Sequence, residues 1–203
     1  MNQSVLESAM REGLTDPSWD IVRLFPNQGQ WADEDYLLLP TNRLVELSQG
    51  RIEVLPMPTR SHQRFVLRLA NLFQAFLEPE GRGEVVVAPY PVRLWEGKFR
   101  EPDVVVALAA HVTRLGESHA DGADLVIEVV SPGDAGRDRV VKREEYARAG
   151  IPEYWIVDPS RGTISVLHLA GEAYVETVHG SGDRARSILI PGLEADVDSV
   201  LSP

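Results

Sequence analysis

Cysteine is absent from the chain, which excludes disulfides, thiolate metal sites and a cysteine nucleophile. No apolar run approaches the ~20 residues that a membrane-spanning helix needs, and no membrane partner is expected. The opening stretch, MNQSVLESAMREGLTDPSWD, carries acids early and has no apolar segment. It therefore does not read as a secretory signal, and the cytoplasm is the expected compartment. The G-x-S-x-G elbow of serine hydrolases and the G-x-x-x-x-G-K-[ST] loop of NTPases are both missing, as are repeats and low-complexity tracts. Positive charge is scarce: 20 Lys and Arg stand against 31 Asp and Glu, for a net charge of −11. Nucleic-acid affinity draws on cations that displace counterions. Such a partner would have to meet basic residues gathered on one face.

What is present suits one folded domain. A chain of 203 residues that is 43% hydrophobic can bury one sizeable core. Residues 1–30 show weak periodicity and are expected to form an N-terminal extension. There, LESAMREGL is a candidate short helix and FPNQGQW a loop. Residues 31–203 are expected to form the domain. WADEDYLLLP opens with a helical turn favoured by Asp33 and Glu34. RLVELSQGRIEVLP alternates on both sides of a Ser-Gln-Gly turn and predicts a β-hairpin. Ser61 is a candidate cap for a helix from His62 to about Glu78. Its apolar face holds Phe65, Val66, Leu69, Leu72, Phe73 and Phe76. Arg60, Arg64 and Arg68 form a basic stripe beside it.

EVVVAPYPVRLW and FREPDVVVAL read as two strands joined by a Glu-Gly-Lys hairpin turn, with Pro89 and Pro91 marking a bulge or edge. DLVIEVV is a further strand, followed by a loop and a helix from about Arg137 to Ala149, which Gly150 terminates. EYWIVDP, TISVLHL and AYVETV read as a strand and a hairpin. SILIPGLEADVDSVL reads as a last strand and a short turn. The class is α/β, with a mixed sheet flanked by at least two helices.

Two carboxylates sit where buried strands disfavour them. Apolar residues flank Glu128 on both sides, which predicts a central strand covered on both faces. An unpaired carboxylate there costs several kcal/mol, or the group protonates. Asp103 heads a strand of the same type. If the two strands are neighbours, both carboxylates project toward one point, and with the carbonyl of Val129 they would suit Mg²⁺ or Mn²⁺. The plainer alternatives are that Asp103 caps a turn and that Glu128 forms an ion pair with Lys142 or Arg139. The chain has two lysines, Lys98 in the expected hairpin turn and Lys142 in the helix after Glu128. Asp138, Lys142 and Tyr146 are spaced i, i+4, i+8, so they share one helical face. That face either leans over the carboxylates or is solvated.

The motifs EPDVVVA, DLVIEVVSP and RDRVVKREEYARAGIPEYWIVDP resemble the Uma-two family of restriction-endonuclease-like proteins, long catalogued only as a domain of unknown function, in the PD-(D/E)XK superfamily. The resemblance runs from about Trp31 to Leu201. It implies a restriction endonuclease-like core with additional N-terminal and C-terminal β-hairpins. Pro102-Asp103 matches the PD element and Glu128 the acid of (D/E)XK. The lysine position two residues after Glu128 is Val130. The resemblance implies that the lysine has moved into the following helix, as Lys142. Asp103, Glu128 and Lys142 are then the expected catalytic set. Glu46 and His62 match recurrent family positions, as an outer or extra ligand and as a phosphate contact or helix cap respectively. Tyr146 would add a hydroxyl.

The leading expectation is a metal-dependent endonuclease that uses Mg²⁺ or Mn²⁺ on nucleic acid, DNA being the expected substrate, with Arg60, Arg64, Arg68 and Arg139 at phosphates. Two-strand cutting implies a homodimer. The alternative is a non-catalytic member of the fold that binds nucleic acid or protein. Hydrolysis of another phosphate ester would use the same metal chemistry.

Overall fold

The computed structural model describes residues 25–39, 44–131 and 136–202. The candidate helix at residues 6–14, and with it most of the expected N-terminal extension, lies outside them. The predicted turn at Trp31 is the short helix α1 (Asp33–Leu37), with acids at its first three positions. The hairpin is β1 (Val45–Ser48) and β2 (Arg51–Val54). Gln49 and Gly50 form its turn with φ of 52° and 70°, the pairing that matches strand twist in two-residue hairpins. Gly50 has a second reason to lack a side chain: a Cβ there would lie 2.7 Å from the carbonyl oxygen of Gly29.

Helix α2 (Arg60–Leu77) begins two residues earlier than the sequence suggests. Its cap is Thr59, whose hydroxyl accepts from the His62 N–H at 3.2 Å, and not Ser61. Val66, Leu69, Ala70, Phe73 and Leu77 form its buried stripe, and Phe73 meets Trp155 edge-on with ring centroids 5.3 Å apart.

The block from 83 to 108 holds four strands rather than two: β3 (Gly83–Val87), β4 (Val92–Trp95), β5 (Lys98–Arg100) and β6 (Val104–Leu108). Pro89 and Pro91 break the first expected strand instead of bulging it, because proline cannot donate to a ladder. β3 and β6 then pair with one another in the large sheet, whereas β4 and β5 pair in the small one. β7 (Leu125–Val129) is buried along its whole length. A π-helical turn (Arg137–Lys142) runs into α3 (Arg143–Arg148). Beyond it, Gly150, with φ of 74°, reverses the chain while the Ile151 N–H bonds the Tyr146 carbonyl at 3.1 Å.

β8 (Glu153–Asp158), β9 (Thr163–Ala170) and β10 (Ala173–His179) follow as expected. The C-terminal region departs from one strand and a turn. It holds β11 (Arg184–Arg186), β12 (Glu194–Asp196) and the short helix α4 (Val197–Leu201).

The large sheet has order β10-β9-β8-β7-β6-β3, with β7 and β8 parallel and the remaining pairs antiparallel. The small sheet has order β2-β1-β5-β4. One core, containing Phe73, Ile127 and Trp155, lies between the large sheet and α2. A second, containing Val126, Tyr146 and Tyr154, lies on the opposite face beneath α3. This is a mixed α/β fold, with helices on both faces of its main sheet.

Candidate active site

Neighbouring strands place the two acids together. β6 and β7 pair antiparallel with Val104 opposite Ile127, so Asp103, one residue before β6, falls across from Glu128. The Asp103 carboxylate accepts the Val129 N–H at 2.7 Å through Oδ2. His62, in the first turn of α2, closes the same point: its Nε2 lies 3.3 Å from Asp103 Oδ2 and 3.0 Å from the Val129 carbonyl oxygen. Both neighbours are acceptors, which assigns the proton to Nε2.

Glu128 is buried inside β7, and a cation accompanies it. Lys142 Nζ lies 2.7 Å from Glu128 Oε1, and the Tyr146 hydroxyl donates to the same oxygen at 2.6 Å. Burial first, then the Glu128 charge, raises the Tyr146 pKa well above its ordinary value and keeps the phenol a donor. The ion-pair reading of Glu128 therefore resolves to Lys142. Arg139 is engaged elsewhere, 3.0 Å from Asp158 and 3.9 Å from Glu176. Val130, two residues after Glu128, packs into the second core. The ammonium instead arrives from the helix that crosses over between β7 and β8.

Behind these groups lies a buried ionic layer. Glu46 in β1 has no exposed surface. Its Oε1 accepts the Glu101 N–H at 3.2 Å and lies 3.8 Å from Lys142 Nζ, while its Oε2 accepts from the Arg100 guanidinium. Arg100 also donates to Glu53 at 3.1 Å and to both oxygens of Glu145, at 2.7 and 3.0 Å. Lys98 joins Glu145 at 2.5 Å and Ser48 at 2.9 Å. It begins β5 and is buried, not turned out in a hairpin as the sequence suggests. Burial opposes the Arg100 charge, but its hydrogen bonds to Glu145 and the nearby Glu46 outweigh this and raise its pKa. Glu145 is likewise held below the ordinary carboxylate range, burial notwithstanding, by Arg100 and Lys98. Glu101 differs. Burial and then the Glu46 charge push it up to about 7, against the Val45 N–H that it accepts at 3.2 Å.

His62, Glu101, Asp103, Glu128, Val129 and Lys142 line one small cleft of about 60 Å³. Among the described residues, no three His, Asp or Glu side chains cluster as a self-sufficient metal cage. Two carboxylates and one carbonyl nonetheless fit a hard divalent ion of the magnesium type, which commonly takes one or two carboxylates and completes its shell with water and phosphate oxygens.

Asp103, Glu128, Val129, Lys142 and His62 thus meet at one cleft. Tyr146 and Glu46 stand behind it. The basic residues divide. Arg60 and Arg64 are exposed on α2. Arg68 instead donates to the Val200 carbonyl at 2.9 Å and to that of Ser202, tying α2 to α4, so it and Arg139 are committed within the fold. Sequence reasoning missed Arg100, Glu101 and Glu145. For Arg100 and Glu101 the readable signal was KFRE, three charges around one phenylalanine between apolar segments.

A search of the curated proteins finds no match. Among solved structures, the chain is similar to one described as "a putative nuclease belonging to DUF820" from Anabaena variabilis. The TM-score is 0.70 at 17% identity, and the match covers 83% of this chain and 96% of that one. At that identity the likeness concerns the fold. Residues 33–198 match the Uma2 family, described as "Putative restriction endonuclease", and since that span takes in most of the 203 residues, the chain belongs to the Uma2 family.

Proposed function

We propose that the chain is a metal-dependent endonuclease that hydrolyses phosphodiester bonds, with DNA as substrate and Mg²⁺ or Mn²⁺ as cofactor. The observation that carries this reading is the pairing of Lys142 with Glu128 at 2.7 Å in a cleft that Asp103 also lines. The carboxylates of Asp103 and Glu128 and the carbonyl of Val129 would hold the ion. When bound, the ion supplies charge stabilisation at the phosphate and lowers the pKa of a water. Lys142 orients the attacking water and offsets the charge that develops on the phosphate. His62 keeps Asp103 and the Val129 carbonyl in register, and Tyr146 fixes the Glu128 carboxylate. Arg60 and Arg64 provide phosphate contacts, whereas Arg68 and Arg139 serve the fold. Cutting both strands calls for a homodimer.

The net charge of −11 favours a second reading, a member of the fold that binds without cutting. Incubation of supercoiled DNA and of RNA with Mg²⁺ or Mn²⁺ separates the two. The nuclease reading predicts cleavage by the wild type and a loss of ~10²-fold or more in Asp103→Asn, Glu128→Gln and Lys142→Met. Retention of nucleic acid with no cleavage by any of the four would favour the binding reading.

A further inference from the structure

Lys142 reaches its site from a helix, and a helix can slide or rotate unless something holds it. Glu145 sits three residues beyond Lys142, and both of its oxygens are gripped by Arg100, at 2.7 Å from Nε and 3.0 Å from Nη2. Such two-pronged arginine–carboxylate pairs fix orientation as well as distance. Arg100 ends β5 in the small sheet, so this contact sets the helix bearing Lys142 against a second, rigid element.

The same guanidinium acts on Lys142 by another route. Its Nη1 bonds Glu46 Oε2, and the other oxygen of Glu46 lies 3.8 Å from Lys142 Nζ, against 2.7 Å for Glu128. Glu46 is fully buried, where the attraction between charges is poorly screened. A Glu46 carboxylate not offset by Arg100 would compete with Glu128 for the ammonium. Lysine at position 100 could not replace the arginine. Lys98 already takes the point-charge role at Glu145, and only a planar fork reaches Glu46, Glu53 and Glu145 together.

We propose that Arg100 is the positioning residue for Lys142: it locks the helix through Glu145 and offsets Glu46, which directs the lysine ammonium to Glu128. The kinetic part of this inference rests on the nuclease reading. The geometric part does not.

The chain has only two lysines, which makes the test direct. Lysine labelled with ¹³C at Cε gives two NMR signals, and Lys98→Arg assigns them. The spectra of the wild type, Arg100→Gln, Arg100→Lys, Glu145→Gln and the double variant Arg100→Gln/Glu46→Gln are compared at one pH, after thermal melting confirms that each is folded. The proposal expects the Lys142 signal to move in Arg100→Gln, in Arg100→Lys and in Glu145→Gln. It expects the signal to return toward its wild-type position when Glu46→Gln is added, a rescue that a merely structural role would not produce. An unmoved Lys142 signal in folded Arg100→Gln overturns it. If that variant fails to fold, an unmoved signal in Arg100→Lys does so.

In the cleavage assay, Arg100→Lys should lose ~10-fold in kcat with KM unchanged, and should lose nothing further in a Lys142→Met background. A shift in KM alone, or the same loss in both backgrounds, refutes action through Lys142. If the wild type cleaves nothing, the nuclease reading fails while the NMR result still decides the positioning role.

Discussion

Replacing Lys142 with methionine isolates the interaction on which the site depends. Methionine keeps the unbranched apolar stem and removes the ammonium, so the packing change is small. The loss is electrostatic. Glu128 is 4% exposed and Lys142 5%, and their charged atoms are 2.7 Å apart. With an effective dielectric constant of ~20, that separation corresponds to roughly 6 kcal/mol of attraction as an upper bound. Measured breakage of buried pairs falls at about 3–5 kcal/mol, and Tyr146 still donates to Glu128 at 2.6 Å. The expected destabilisation is therefore ~3 kcal/mol at pH 8.

A buried carboxylate that has lost its cation is disfavoured in its charged form, so the variant is penalised most where Glu128 must be ionised. The deficit against wild type should shrink toward pH 5. Urea denaturation followed by tryptophan fluorescence reads this as a midpoint lowered by about 1–3 M at unchanged slope. Lys142→Met/Glu128→Gln, which removes both charges, should recover to within ~1 kcal/mol of wild type. A deficit under ~1 kcal/mol at pH 8, or one equal at pH 5 and pH 8, would refute the buried-pair argument.

Other perturbations test other parts of the structure. Thr59→Ala removes the cap of α2 and should cost about 1 kcal/mol in the same denaturation assay, whereas Ser61→Ala, at an exposed position without the capping contact, should stay within ~0.5 kcal/mol of wild type. Glu101, pushed up to about 7 by burial, by Glu46 and against Lys142 and Tyr36, lowers stability as pH climbs from its ordinary value of 4.5 toward 7. Glu101→Gln should leave stability near wild type at pH 4 and raise it by up to ~3 kcal/mol at pH 8; a flat difference between the two pH values would count against that burial.

Elements governed by local pattern were legible in the chain. The β-branched runs around Val105 and Ile127 read as strands, and the stripe from Val66 to Phe73 read as one helix face. Gln49-Gly50 supplied the turn of a hairpin, and Gly150 a helix end. Features governed by distant partners were not. Nothing local distinguishes Arg68, which ends on the carbonyls of Val200 and Ser202, from Arg60, which stays exposed. The split of residues 83–108 between two sheets hinges on where β3, β4, β5 and β6 find partners, and the prolines mark the breaks without naming those partners. Lys142 was legible as one of two lysines and as an ion-pair partner for Glu128, but its part as the displaced motif lysine came from resemblance to a family. The π-helical turn at 137–142 departs from the regular spacing on which the i, i+4, i+8 argument rests. The ionic layer around Arg100 joins residues 45 or more positions apart, beyond the reach of any periodicity.

The most direct test of the central claim is calorimetric titration of Mn²⁺ into the wild type, Asp103→Asn and Glu128→Gln. Binding in the wild type that is lost in both variants is the predicted result, because the two carboxylates would share one ion. Equal heats in all three samples would contradict the claim and leave Glu128 and Lys142 as a structural ion pair.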